Sequence, residues 1–136
     1  SVSEYQSIIA SVEFRGHTAG AVETALSNTI FCVCAMHRED VVGIGRIVGD
    51  GAISFLLTNI IVRPQYQRRG LGTRIVQTLC DLMGALPHRN MVFEVAPLPE
   101  LEAFYKRFNF TSSSRNAAPG MVRWFNKTSQ STAERA

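Results

Sequence analysis

Between Asn59 and Leu86 the chain passes from an apolar strand, through a basic loop, straight into an amphipathic helix, and few architectures accommodate that junction. The strand Asn59-Ile60-Ile61-Val62 halts at Arg63-Pro64, because proline has no N–H for a sheet ladder and holds its predecessor extended. Gln65-Tyr66-Gln67-Arg68-Arg69-Gly70-Leu71-Gly72-Thr73 follows, and a helix opens directly out of it. Its apolar face is Leu71, Ile75, Val76, Leu79, Leu82, Met83 and Leu86, with Arg74, Gln77, Thr78 and Asp81 toward the other side. The first amides of a helix lack intrahelical partners and carry partial positive charge. Two glycines leave the backbone bare at that point, and Arg68 and Arg69 add formal charge. The junction has the chemistry of a pyrophosphate cradle.

Two common phosphate motifs do not fit it. A P-loop needs Lys-Ser/Thr after its second glycine, and none is present. The dinucleotide fingerprint also fails: Gly43-x-Gly45 has Val48 in its sixth place, and Gly70-x-Gly72 has Ile75.

At 136 residues, with 46% hydrophobic and 18% charged side chains, the chain suits one globular domain, residues 1–126, followed by a disordered tail at 127–136. No apolar run approaches the roughly 20 residues a spanning helix needs. The first residues lack the basic-then-apolar pattern of a secretory signal. A net charge of +3 fits a polyanionic ligand. A nucleic-acid surface is disfavoured, since the only basic cluster is Arg68-Arg69 beside Tyr66. Cys32, Cys34 and Cys80 form no C-x-x-C pair; Cys32 and Cys34 read as core or sheet-face thiols in a reducing, cytoplasmic setting. His17, His37 and His88 are too scattered to hold a metal, so none is expected.

Ser3-Glu4-Tyr5-Gln6 has capping-box spacing ahead of a helix over about 4–12, and a second helix covers 19–27. Strands follow at 30–36, 41–48 and 53–62, joined at Glu39-Asp40 and at Gly49-Asp50-Gly51, as an antiparallel meander. The third is apolar almost throughout, so it should be central and covered on both faces. After the helix, Met91 to Ala96 returns as a parallel strand, completing a right-handed β-α-β unit. Pro99-Glu100 opens a short helix that Asn109 closes in a left-handed conformation, and Met121 to Phe125 is a last strand. The class is α+β: a mixed, mostly antiparallel sheet with one parallel unit and flanking helices.

Gln67-x-x-Gly70-x-Gly72 after an apolar strand resembles the acyl-CoA-binding motif of the GNAT superfamily of N-acetyltransferases. Phe104-Tyr105-Lys106-Arg107-Phe108-Asn109-Phe110 is similar to that family's F-Y-x-x-x-G-F segment, with Asn109 for the glycine. The hairpin Val42 to Gly51 and Pro119-Gly120-Met121 are similar to small bacterial members. The likeness extends from Ser3 through Phe125. Family members usually have a strand before the first helix; this sequence begins at that helix, so the strand is either trimmed or absent.

The resemblance implies a GNAT fold and transfer of an acetyl group from acetyl-CoA to a primary amine by direct attack. Backbone groups of Ile60, Ile61 and Val62 would bind the pantetheine arm. Gln67, Arg68, Arg69, Gly70, Leu71, Gly72 and Thr73 would hold the pyrophosphate. One backbone amide on the central strand would polarise the thioester oxygen, and Tyr105 would protonate the departing thiolate. Many relatives carry an acid where this chain has Asn59, and an amide is no base. Glu94, which sheet alternation places with Val92 and Ala96, is the best remaining acid if it is buried; an exposed or salt-bridged carboxylate is the competing reading. Ser112 to Arg115 and Asn116 to Pro119 would border the acceptor pocket, without the acidic cluster a polyamine favours. The acceptor, a small-molecule or peptide amine, stays open. Homodimers are common in the family, and a non-catalytic acyl-CoA-binding domain is the alternative function.

Overall fold

A computed structural model of the chain describes residues 1–112 and 120–125. Helices α1 (Val2–Ser11) and α2 (Ala19–Ser27) precede a meander of strands β1 (Phe31–His37), β2 (Asp40–Gly49) and β3 (Ser54–Val62). A single 3-10 turn at Pro64–Tyr66 leads to α3 (Leu71–Gly84), then to β4 (Met91–Val95) and the short α4 (Glu102–Lys106). Strands β5 (Thr111–Ser112) and β6 (Met121–Phe125) complete one six-stranded sheet in the order β1-β2-β3-β4-β6-β5. Among the described residues only β3 and β4 pair in parallel, as a strand, a crossover helix and a strand require. The mixed α+β class and the β-α-β unit are as the sequence implies; the two-residue β5 was not foreseen.

The meander forms where turn chemistry demands it. Asp50 Oδ1 accepts the N–H groups of Ala52, Ile53 and Ser54 at 2.8, 2.8 and 3.1 Å, closing the β2–β3 connection. At the first helix the capping box is Ser1 with Glu4, not Ser3 with Gln6, so the helix starts earlier than expected. Both pairs have the S-x-x-E/Q spacing, and spacing alone cannot choose between them.

The sheet divides the core in two. On one face, Ile47, Phe55, Leu57, Phe93 and Val95 pack against Ile75, Val76, Leu79, Cys80 and Met83 of α3, with Tyr105, Phe108 and Phe110 at the end of the layer. Leu82, expected on the buried face of α3, is exposed, and Cys80 occupies the buried position instead. On the other face, Tyr5, Ile8, Ile9 and Val22 of α1 and α2 cover Val41, Ile44 and Ile61. That cover ends part-way across. β3 is central, but Leu56 is 39% exposed, so its first half is open on the α1/α2 side. Cys32 and Cys34 are exposed sheet-face thiols rather than core ones. No helix among the described residues is long and apolar enough to cross a membrane.

β3 carries one irregularity in its pairing with β2. Between the pairs Arg46–Thr58 and Ile44–Ile61, β2 has one residue, Gly45, and β3 has two, Asn59 and Ile60. Asn59 takes a left-handed conformation there, φ 51°. This is a β-bulge, which kinks a strand and re-aims its side chains. It turns Ile60 toward the α3 layer, against which it packs. The parallel pairing with β4 ends at Leu57–Val95, so β3 runs on from Thr58 to Val62 without β4 beside it.

Candidate functional site

Beyond Leu57–Val95 β3 has no β4 partner, and this open strand edge leads through Arg63 and the 3-10 turn to the N-terminus of α3. Arg63 N–H donates to Val42 O at 2.8 Å, which makes Arg63–Val42 a hydrogen-bonded pair. Alternation then turns the backbone groups of Val62 away from β2, toward the open edge. The Val62 carbonyl accepts the Gln67 side-chain amide at 2.9 Å, so that acceptor already has an intramolecular partner. Arg63 itself is tied down through Nε to Val41 O and Nη2 to Ser7 Oγ.

The glycine loop has the form a phosphate cradle needs. Gly70 is the N-cap of α3 at φ 80°, left-handed, and Arg68 before it has φ 62°. The N-termini of α1 and α2 are capped by Ser1 and Thr18 side chains, whereas α3 has no side-chain cap. Its first amides therefore stay available to an anion. A Cβ on Gly70 would meet nothing within 4 Å, and one on Gly72 would meet only Phe104 Cζ at 3.9 Å. Internal packing thus leaves space at Gly72 that an approaching phosphate would use. Arg69 stacks over Tyr66 at 5.7 Å from its ring centroid, and Tyr66 OH lies 3.1 Å from His37 Nδ1. With Met36, Val42, Gln65 and Leu71 these side chains line a recess of about 440 Å³ beside the loop. The residues present fit an acyl-CoA pyrophosphate.

Phe104 links the two motifs. It lies over Gly72 and makes an edge contact with Tyr105, ring centroids 5.0 Å apart. Tyr105 is 5% exposed, packed edge-on to Phe110, and its hydroxyl has no hydrogen-bond partner among the described residues. Burial pushes its pKa up to about 12. Asn109 is left-handed, φ 64°, the conformation a glycine would otherwise supply.

The opposite face of this part of the sheet is polar. Arg46, Thr58, Leu56 and Glu94 share that face, since Arg46 pairs with Thr58 and Leu56 with Glu94. Glu94 does alternate with buried Phe93 and Val95, but it is exposed, and neither ion pair among the described residues includes it. The burial on which its reading as a base depended is absent. Asn59 instead belongs to a cluster that sequence reasoning missed. Its Oδ1 accepts Tyr5 OH at 3.0 Å, Arg46 Nε at 3.1 Å and Arg46 Nη2 at 2.9 Å. The one available signal was Arg46 itself, a lone charge in the apolar strand Val41 to Val48.

Of the residues expected to border an acceptor pocket, Ser112 donates to Glu102 Oε1 at 2.7 Å; residues 113–119 lie outside the described ones, as does the expected tail at 127–136. Among the described residues no three His, Cys, Asp or Glu gather as a metal site.

No curated protein matches this chain significantly. Solved structures do. A Staphylococcus aureus protein of unknown function, described as a probable acetyltransferase, superposes with TM-score 0.78 at 20% identity, covering 86% of this chain and 88% of that one. A GNAT-family acetyltransferase of Streptococcus pneumoniae gives 0.71 at 26% identity, over 94% and 92% of the two chains. N-acetylglutamate synthase of Neisseria gonorrhoeae, solved with coenzyme A and L-arginine, shares the fold at TM-score 0.71 and 14% identity, over 91% of this chain and 31% of that one. The family profile described as "Acetyltransferase (GNAT) domain" matches residues 27–112, more than half of the sequence, and the chain belongs to that family.

Proposed function

We propose that the protein is an N-acetyltransferase that moves the acetyl group of acetyl-CoA to a primary amine by direct attack within a ternary complex. The observation that carries this reading is the meeting of the uncapped N-terminus of α3 with the Phe104–Tyr105 helix, together with the open edge of β3 past its last β4 pair. When bound, acetyl-CoA supplies an activated acyl group as a thioester. The amides from Arg68 to Thr73 hold the pyrophosphate, with Arg68 and Arg69 adding charge. Backbone groups of Ile60, Ile61 and Val62 align the pantetheine arm as an added strand, and Gln67 steadies the Val62 carbonyl.

Two features support Tyr105 as the general acid. Its hydroxyl stays protonated at any physiological pH, with a pKa of about 12. Having no partner among the described residues, it has its proton to give to the departing thiolate. The proton lost by the attacking ammonium passes to water, with the exposed carboxylate of Glu94 on the acceptor face as relay. The enzyme works as a single domain in a reducing, cytoplasmic setting, without a metal, nucleic acid or membrane as partner; a homodimer is compatible with it.

A second reading, a domain that binds acyl-CoA without transferring the acyl group, is favoured by one observation. The residue at 59 is an amide whose oxygen is fully engaged by Tyr5 and Arg46. An amine panel with acetyl-CoA, read by thiol release, separates the two. Turnover with at least one amine, reduced in Tyr105→Phe, supports transfer. Tight acetyl-CoA binding with no turnover on any amine class supports the binding domain.

A further inference from the structure

The sheet face opposite α3 holds a charge that acyl transfer alone does not use. Arg46 is 8% exposed and is the only charged residue classed as buried among those described. Its partners are all neutral: Asn59 Oδ1, Ala25 O at 3.2 Å, Thr29 Oγ1 at 2.8 Å, and the Tyr5 ring with its centroid 5.4 Å away. A guanidinium removed from water is normally matched by a carboxylate. The ion pairs among the described residues are Ser1–Glu4 and Lys106–Glu102, so Arg46 has none there. Ala25 O belongs to the last turn of α2, and the negative end of that helix offsets part of the charge. No carboxylate among the described residues supplies the rest.

This charge fixes what Asn59 presents. Arg46 nitrogens can only donate, so the Asn59 atom facing them is the oxygen. Nδ2 is then turned away from the guanidinium, and its two N–H groups have no partner among the described residues. Asn59 is half-buried on the bulge, two residues past the last β3–β4 pair. Asn59 thus combines two unpartnered N–H donors with a guanidinium bonded to its oxygen. Such a surface attracts an anionic oxygen and repels an ammonium.

We propose that Asn59 Nδ2, with Arg46 behind it, is a subsite for a carboxylate on the acceptor, so that the acceptors are amines bearing a carboxylate, of the amino-acid class. The choice of reaction rests on the acetyl-transfer reading; the carboxylate subsite rests on the Arg46–Asn59 geometry. The subsite also gives a local reason for the amide at 59. An acid there would pair with Arg46, cancel the charge and abolish the attraction.

Matched pairs test this: protein amino acids, each against the amine that remains when its carboxylate is removed. Binding is measured by calorimetry with and without CoA, and acetyl transfer by thiol release, on wild type and Asn59→Asp. The wild type should bind and acetylate at least one amino acid about tenfold or more better than its decarboxylated partner, expressed mainly in KM. Asn59→Asp keeps the size, gains an ion pair and should melt no lower than wild type, while that preference collapses. A wild type that binds neither member of any pair, or favours the decarboxylated amine, overturns the proposal, as does a preference unchanged in Asn59→Asp. Acetyl-CoA titration in parallel isolates the other premise: its failure sinks acetyl transfer, while the carboxylate titration still decides the subsite.

Discussion

Asn59 Oδ1 receives two donors from one guanidinium, Arg46 Nε at 3.1 Å and Nη2 at 2.9 Å, at the bulge where β3 pairs with β2. The contact links the bulge in β3 to the end of α2, which Arg46 Nη1 reaches through Ala25 O and Thr29 Oγ1. One side chain therefore braces the bulge against the helical layer.

Replacing Asn59 by Leu removes that acceptor and strands Nε, Nη2 and Tyr5 OH in a largely buried place. Losing hydrogen bonds to a buried charge should cost about 2–4 kcal/mol. Urea denaturation checks this, with a lowered midpoint at an unchanged m-value. A midpoint equal to that of wild type would mean that the cluster bears no structural load.

Gly45 is required by close approach rather than by backbone conformation. A Cβ there would lie 2.6 Å from Ile75 Cγ2, 2.7 Å from Ile60 Cδ1 and 2.8 Å from Leu79 Cδ1. Gly45→Ala should destabilise by about 1–3 kcal/mol through overpacking. Because Ile60 sits on the bulge, the same substitution should weaken acetyl-CoA binding, which Gly43→Ala, with its nearest contact at the flexible end of Ile75, should do less.

Tyr105→Phe deletes a buried hydroxyl without a partner among the described residues, so its melting temperature should equal or exceed that of wild type. Its kcat should fall by roughly 10²–10⁴ if the phenol is the general acid. The phenol also predicts a pH effect on stability. Its pKa is raised from 10.0 to about 12, so the folded state holds a proton that the unfolded state releases. Stability is then unaffected below pH 10 and declines from 10 toward 12. Denaturation at alkaline pH should show this decline in wild type and a smaller one in Tyr105→Phe.

The parts of this molecule written in local patterns were legible in its sequence. The strand–loop–helix junction announces itself through Pro64, Gly70 and the apolar spacing of α3, and the Asp50 turn through its flanking glycines. Contacts assembled over long separations were not. Tyr5 and Asn59 are 54 positions apart, and nothing local marks them as partners. The exposure of Leu56 and Glu94 depends on how far α1 and α2 reach across the sheet, which apolar alternation does not encode.

Calorimetric titration of wild type and Gly72→Glu with acetyl-CoA asks whether the N-terminus of α3 binds the pyrophosphate. A side chain at 72 meets only Phe104 Cζ at 3.9 Å, and an acid in the first turn of a helix is favourable. The variant should therefore stay folded and melt no lower than wild type. Wild type should bind in the micromolar range, on the order of 8 kcal/mol, and Gly72→Glu should not bind. Absence of binding by wild type, or equal binding by both proteins, would contradict a pyrophosphate site at α3.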